Sequence, residues 1–147
     1  MAELPIDPYF IERAKSRRGG RLNAYESLTP SKSALVVVDM QDYFVKDGMP
    51  SSVPGGQAIV PNINRLAQAL RAAKGLVVWI QTEVPADADD WANRREATSP
   101  EVWSSRRELL ARNGEGFAIF PALDVRPDDP IVIKIRYSAF IPHPSEL

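Results

Sequence analysis

The amino-acid sequence predicts an α/β protein: a parallel sheet with helices on both faces. Three observations point there. Apolar, largely β-branched runs recur along the chain, "ALVVV" at 34–38, "LVVWIQT" at 76–82 and "PIVIKIRYSAF" at 130–140. Stretches of helical spacing separate them, so the order is strand, helix, strand, helix, strand, which calls for right-handed crossovers. The first run is apolar at every position, which suits a central strand of a sheet covered on both sides.

Each element follows from local chemistry. Residues 1–32 read as an N-terminal extension, within which "DPYFIERAKSRR" predicts a short helix stopped by Gly19 and Gly20. The overlapping "ERAKSRRGGR" holds five basic residues and one acid. It reads as a solvated helix face ahead of a phosphate or RNA contact. "AYESLTPSKS" leads into the first strand, and "SSVPGG" at 51–56 is loop. From Pro61, the apolar positions Ile63, Leu66, Leu70 and Ala73 keep a helical spacing. Pro61 fits the first turn and Gly75 lies just past the end. The second strand follows at once.

Residues 84–99 are polar and broken, with "PADADD" near their start. Ser99 then suits an N-cap, Pro100 the first helical position, and "EVWSSRRELLAR" a helix closed by Gly114. The 84–116 region is expected to lie over the strand ends as a partly helical lid, anchored by Trp91 and Trp103. After the third strand, "IPHPSEL" starts no complete element. Three parallel strands with nothing further would leave bare edges. The expectation is therefore one domain, 33–147, truncated on its C-terminal side, with exposed edges that favour self-association.

Composition narrows the function classes. A chain of 147 residues has the length to bury one real core. Lys plus Arg number 18 against 19 Asp plus Glu, so no bulk charge invites nucleic acid. With no cysteine at all, the chain holds no disulfide, no thiolate metal site and no thiol nucleophile. The N-terminus lacks the apolar core of a secretory signal, and no apolar run approaches a membrane span. A cytoplasmic protein is expected.

Ligands of open parallel sheets bind outside the carboxyl ends of the strands. Asp39 closes the first strand; Gln81, Thr82 and Glu83 close the second; Lys134, Arg136, Tyr137 and Ser138 lie along the second half of the third. If the strands are neighbours, Asp39 and Lys134 meet at adjacent strand ends. An acid and an amine half-buried together must pair, because either alone pays a large desolvation penalty. Such an environment also prepares a catalytic acid, base or cation. Plainer roles compete: Asp39 as a helix cap or structural ion-pair partner, Lys134 as an edge-strand guard against aggregation. Ile131, Ile133 and Ile135 share one face of the strand, Val132 and Lys134 the other.

Other constellations carry less. His143 is the only histidine, too little for a histidine-rich zinc site. No dinucleotide-binding glycine motif or P-loop occurs. Asp87, Asp89 and Asp90 lack the glycine and distal glutamate of a calcium loop and read as a solvated turn. Trp79, Trp91 and Trp103 read as packing residues rather than a stacking platform.

Taken together, "VVVDMQDYF", "NINRLAQALRAAKGLVVWIQT" and "IVIKIRYSAF" resemble the isochorismatase-like cysteine hydrolases, over about Ser33 to Phe140. The resemblance implies a parallel sheet with helices on both faces and hydrolysis of a C–N bond in a small amide or ureido compound, or of the vinyl ether of isochorismate. It implies Asp39 as general base and Lys134 as the cation that stabilises a thiolate, with Phe44, Gln81, Tyr137, Ser138 and Phe140 lining the pocket. It further implies a small-molecule substrate, no metal or other cofactor, no nucleic-acid or membrane partner, and a homo-oligomer when full-length. The nucleophilic cysteine of such an Asp-Lys-Cys triad is not in this chain. The alternatives are a non-catalytic, degenerate member binding a ligand or a partner, and an unrelated α/β binding domain with a structural Asp–Lys pair.

Overall fold

A computed structural model describes residues 6–85 and 92–140. In chain order the elements are α1 (Pro8–Arg17), β1 (Ala34–Val38), α2 (Asp42–Val45), α3 (Val60–Ala72), β2 (Leu76–Thr82), α4 (Ala92–Glu96), α5 (Pro100–Leu110) and β3 (Ile131–Lys134). The three strands form one parallel sheet in the order β1-β2-β3. Val37 lies beside Trp79, Trp79 beside Ile131, and Thr82 beside Lys134. This is the α/β architecture expected from the alternation of strands and helices.

Register fixes the two faces, since neighbours in register share a face. Leu35, Val37, Val77 and Trp79 face α3, where Ala67, Val60 and Ile63 meet them together with Leu123. Each large side chain buried here stabilises the fold by about 1.5–3 kcal/mol. The helix is tied on by charge as well. Arg71 of α3 pairs with Asp124 at 2.9 Å and with Asp129, whose carboxylate also accepts from the Trp79 indole at 2.9 Å.

Several expectations needed correction. Among the described residues β1 lies at one edge of the sheet, where a central strand was expected, and Val36 and Val38, on the face away from α3, are each 49% exposed. β3 stops at Lys134 instead of running to 140, because its partner β2 ends at Thr82 and offers no further ladder. The short helix α2 has no periodic signal at four residues. At the end of α3 the left-handed residue is Lys74, with φ 62°. Gly75 serves close packing instead: a Cβ there would stand 2.5 Å from the Leu70 side chain and 2.7 Å from the Pro30 carbonyl. α1 forms where expected, capped by Asp7, and buries none of its residues.

Candidate functional site

The site is built where the three strands end. Thr82 and Lys134 are in register and share the face opposite Trp79. Simple alternation from Val38, which pairs with Ile80, would put Asp39 on the other face. Asp39 instead takes φ 56°, a left-handed conformation that Asp tolerates better than most side chains. That turn brings its carboxylate over the end of β2. Oδ1 accepts from the Thr82 hydroxyl at 2.8 Å, and Oδ2 pairs with the Lys134 ammonium at 3.0 Å.

Asp39 and Lys134 therefore meet as expected, but not from adjacent strands. β2 lies between them, so the strand axes are about 10 Å apart. The four-carbon stem of Lys134 crosses above Thr82 to span that distance. The side chain of Lys134 is 7% exposed and that of Asp39 29%. The ammonium is thus buried, while one side of the carboxylate is open to a reactant.

Gln41 holds this end of the sheet. Wholly buried, it accepts from the Thr82 backbone N–H at 2.6 Å and donates to the carbonyls of Thr82 at 3.0 Å and Phe117 at 2.8 Å. Gln41 lies within the "VVVDMQDYF" stretch that carries the resemblance, but only the fold shows what it grips. Residues 40–43 are stitched further to 116–120, through Asp42 N–H to the Ala118 carbonyl and Tyr43 N–H to the Gly116 carbonyl. Gly116 permits that approach, because a Cβ would stand 2.8 Å from the Tyr43 Cβ. Burial holds the Asp42 carboxyl above the usual carboxylate range, against the opposing pull of Lys46.

The other expected lining residues divide. Gln81 lies in register with Ile133, on the face away from Thr82 and Lys134, and donates to the Phe117 carbonyl at 2.8 Å. It fixes the 117 loop rather than facing the pair. Phe44 is half-buried on α2, edge-on to Tyr43 with ring centroids 5.0 Å apart. Tyr137 is exposed and accepts from Arg94 at 2.7 Å. Ser138 accepts from the Phe140 N–H, and Phe140 is 97% exposed. Neither closes a pocket over the pair among the described residues.

α5, in the described part of the segment after β2, lies over the strand ends. Trp103 of α5, capped by Ser99, packs with Leu110, Val84 and Tyr43. Val84 and Tyr43 both follow the carboxyl ends of their strands. Trp91, the other expected anchor, lies outside the described residues, as do Asp87, Asp89, Asp90 and His143. Among the described residues no cluster of side chains could hold a metal ion, and no helix is long and apolar enough to cross a membrane. An apolar groove of about 310 Å³, lined by Leu28, Leu35, Leu66 and Leu70, lies at the opposite end of the sheet, away from this chemistry.

Comparison with known proteins gives this geometry a lineage. The isochorismatase domain model matches residues 33–145. The ureidoacrylate amidohydrolase RutB of Klebsiella variicola is 31% identical over 135 residues, 81% of this chain and 57% of that protein. An Arabidopsis thaliana protein described as a probable inactive nicotinamidase is 30% identical over 111 residues, 74% of this chain and 54% of its own length. Among solved structures, a cysteine hydrolase from Pseudomonas syringae pv. phaseolicola superposes with a TM-score of 0.67 at 32% identity, over 78% of this chain and 51% of that one. The chain spans little more than half the length of these relatives. It belongs to the isochorismatase family.

Proposed function

We propose that this chain carries the base and the cation of a hydrolase that cleaves a C–N bond in a small amide or ureido compound. The Asp39–Lys134 pair at the carboxyl end of the sheet, its ammonium buried and its carboxylate partly open, carries the proposal, with its 3.0 Å contact and the Thr82 hydroxyl on the second carboxylate oxygen. The likeness to ureidoacrylate amidohydrolases supports the substrate class.

The chemistry follows from the pair. The open side of the Asp39 carboxylate takes the proton of a thiol, and the Lys134 ammonium stabilises the thiolate that results. Sulfur attacks the substrate carbonyl, and the tetrahedral intermediate collapses with cleavage of the C–N bond. Asp39 returns the proton to the departing amine, and water then cleaves the thioester left by an amide or the thiocarbamate left by a ureido compound. The 147 residues contain no cysteine, so the thiol of this reaction is supplied from outside them. Ser138 is no substitute: its hydroxyl is exposed, is engaged by the Phe140 N–H, and is far less acidic than a thiol.

The test supplies the missing group. Alone, the chain should not turn over a chromogenic ureide. With a small thiol in solution it should accelerate cleavage above the rate with thiol alone, and Asp39→Asn or Lys134→Met should each remove about 10²-fold of that acceleration or all of it. Acceleration that persists in both variants would overturn the assignment. A second reading, a non-catalytic ligand-binding domain, is favoured by the cysteine-free composition. Binding of the ureide without any thiol-dependent acceleration would establish it.

A further inference from the structure

A general base has to be aimed, and the Asp39 side chain does not aim itself. The torsion that turns a carboxylate is broad and roughly two-fold, so its two oxygens exchange places at little cost. The Lys134 ammonium does not prevent this. It is a compact charge with rotatable donors on a flexible stem, and it can follow either oxygen. The Asp39 backbone adds a further demand, since it is held in the left-handed region at φ 56°. Another group must decide which oxygen faces the ammonium and which edge stays open.

Thr82 has the place and the rigidity for that task. Its hydroxyl stands 2.8 Å from Asp39 Oδ1, while Oδ2 holds Lys134 at 3.0 Å. An ionised carboxylate only accepts, so the hydroxyl donates. Thr82 is 3% exposed, and a β-branched side chain is stiff at its first torsion. Its main chain is fixed on both sides: the N–H donates to Gln41 Oε1 at 2.6 Å, and the carbonyl accepts from Gln41 Nε2 at 3.0 Å. Gln41 follows Asp39 by two residues. The segment that carries the base therefore grips Thr82 through its hydroxyl, its N–H and its carbonyl, and Thr82 lies in register with Lys134.

We infer that Thr82 is a positioning residue: its hydroxyl locks the rotation of the Asp39 carboxylate, so that one oxygen keeps the ammonium and the open edge keeps facing the thiol, with Gln41 fixing Thr82 in turn. This rests on the hydrolase reading of the Asp39–Lys134 site and adds the group that aims its base. Stability alone makes little demand for this bond, because water can replace the donor on a carboxylate that is 29% exposed. Chemistry makes a large one, since a misplacement of about 1 Å can cost about 10²-fold in rate.

Two variants separate donor from shape: Thr82→Val removes the hydroxyl and keeps the branch, and Thr82→Ser keeps the hydroxyl and loses the branch. With a small thiol in solution and a chromogenic ureide, Thr82→Val should lower kcat by about 10–10²-fold and leave KM for the ureide within about twofold. Thr82→Ser should keep about a third or more of the wild-type kcat. Thermal midpoints within about 5 °C of wild type verify that both variants fold. A second readout needs no turnover. The buried Lys134 ammonium should give a slowly exchanging proton–nitrogen resonance, assigned by its loss in Lys134→Met. Thr82→Val should shift or broaden that resonance, and Thr82→Ser should leave it close to wild type. Wild-type kcat in Thr82→Val, equal losses in both variants, or an ammonium resonance indifferent to Thr82→Val would overturn the positioning role and leave the hydrolase reading standing. A raised KM at unchanged kcat would do the same, placing Thr82 on the substrate instead of the base. No thiol-dependent acceleration by the wild-type chain would overturn both.

Discussion

Removing either member of the Asp39–Lys134 pair should destabilise the fold, and the two losses should be unequal. At 3.0 Å, opposite unit charges attract by about 5–6 kcal/mol at an effective dielectric of about 20. Much of that is offset by desolvation, which falls more heavily on the lysine: its side chain is 7% exposed against 29% for the aspartate. Asp39→Ala leaves an ammonium buried without its counter-charge and frees the Thr82 hydroxyl, a loss of about 3–4 kcal/mol. Lys134→Met leaves a carboxylate that still accepts from Thr82 and still reaches water on one side, while methionine fills the space of the lysine stem. That change should cost about 1 kcal/mol. The double variant should cost about 1–2 kcal/mol, well below the sum, because the orphaned charge is gone. Urea denaturation at neutral pH, followed by circular dichroism with unchanged m-values, measures all three. A Lys134→Met loss equal to or greater than that of Asp39→Ala, or additive losses, would refute this account of the pair.

Three further outcomes follow from neighbouring features. Burial raises the Asp129 carboxyl, but hydrogen bonds from Arg71, Trp79 and the Arg126 backbone outweigh it and hold the group below its ordinary 3.8. A depressed carboxyl contributes stability that is present above its unfolded value and lost as pH falls through the folded one. Urea midpoints should therefore separate wild type from Asp129→Asn fully at pH 6, with the gap closing below about pH 3.8. Gln41→Ala should cost about 2–4 kcal/mol, since it strips partners from the Thr82 N–H and from two carbonyls; it should also raise amide exchange at Thr82, and a near-neutral effect would contradict its bracing role. Val38→Lys, on the uncovered half of β1, should lower self-association in sedimentation velocity without lowering the thermal midpoint, and unchanged association would place the contact elsewhere.

Much of this molecule was legible in its residues because the signals are local. The limits of β2 follow from its apolar run and the glycine before it, those of α1 and α5 from their caps and stops. The face shared by Val132 and Lys134 follows from alternation. Asp39 and Lys134 stood out because each polar group closes or interrupts an apolar strand, where burial demands a partner. The lining residues beyond Lys134 were harder. A β-rich composition predicted strand through Phe140, yet a strand persists only while a neighbour supplies the ladder, and β2 ends at Thr82.

What the sequence determined by itself is therefore the inventory: an alternating α/β chain, an acid and a lysine at strand ends, no cysteine, and a resemblance that places it among the isochorismatase-like proteins. Tertiary structure decided the arrangement. Strand order put β2 between the two charged residues, so that Thr82 became the third member of the site. The left-handed turn at Asp39 moved its carboxylate to the face where Lys134 lies, against the alternation of the strand. Gln81 was turned away, Gln41 was drawn in as a brace, and Arg106 was left over two rings with no hydrogen-bond acceptor among the described residues. None of these is a property of neighbours in sequence. Each depends on which strand lies beside which, and that is fixed by burial of apolar surface between segments 40 or more residues apart.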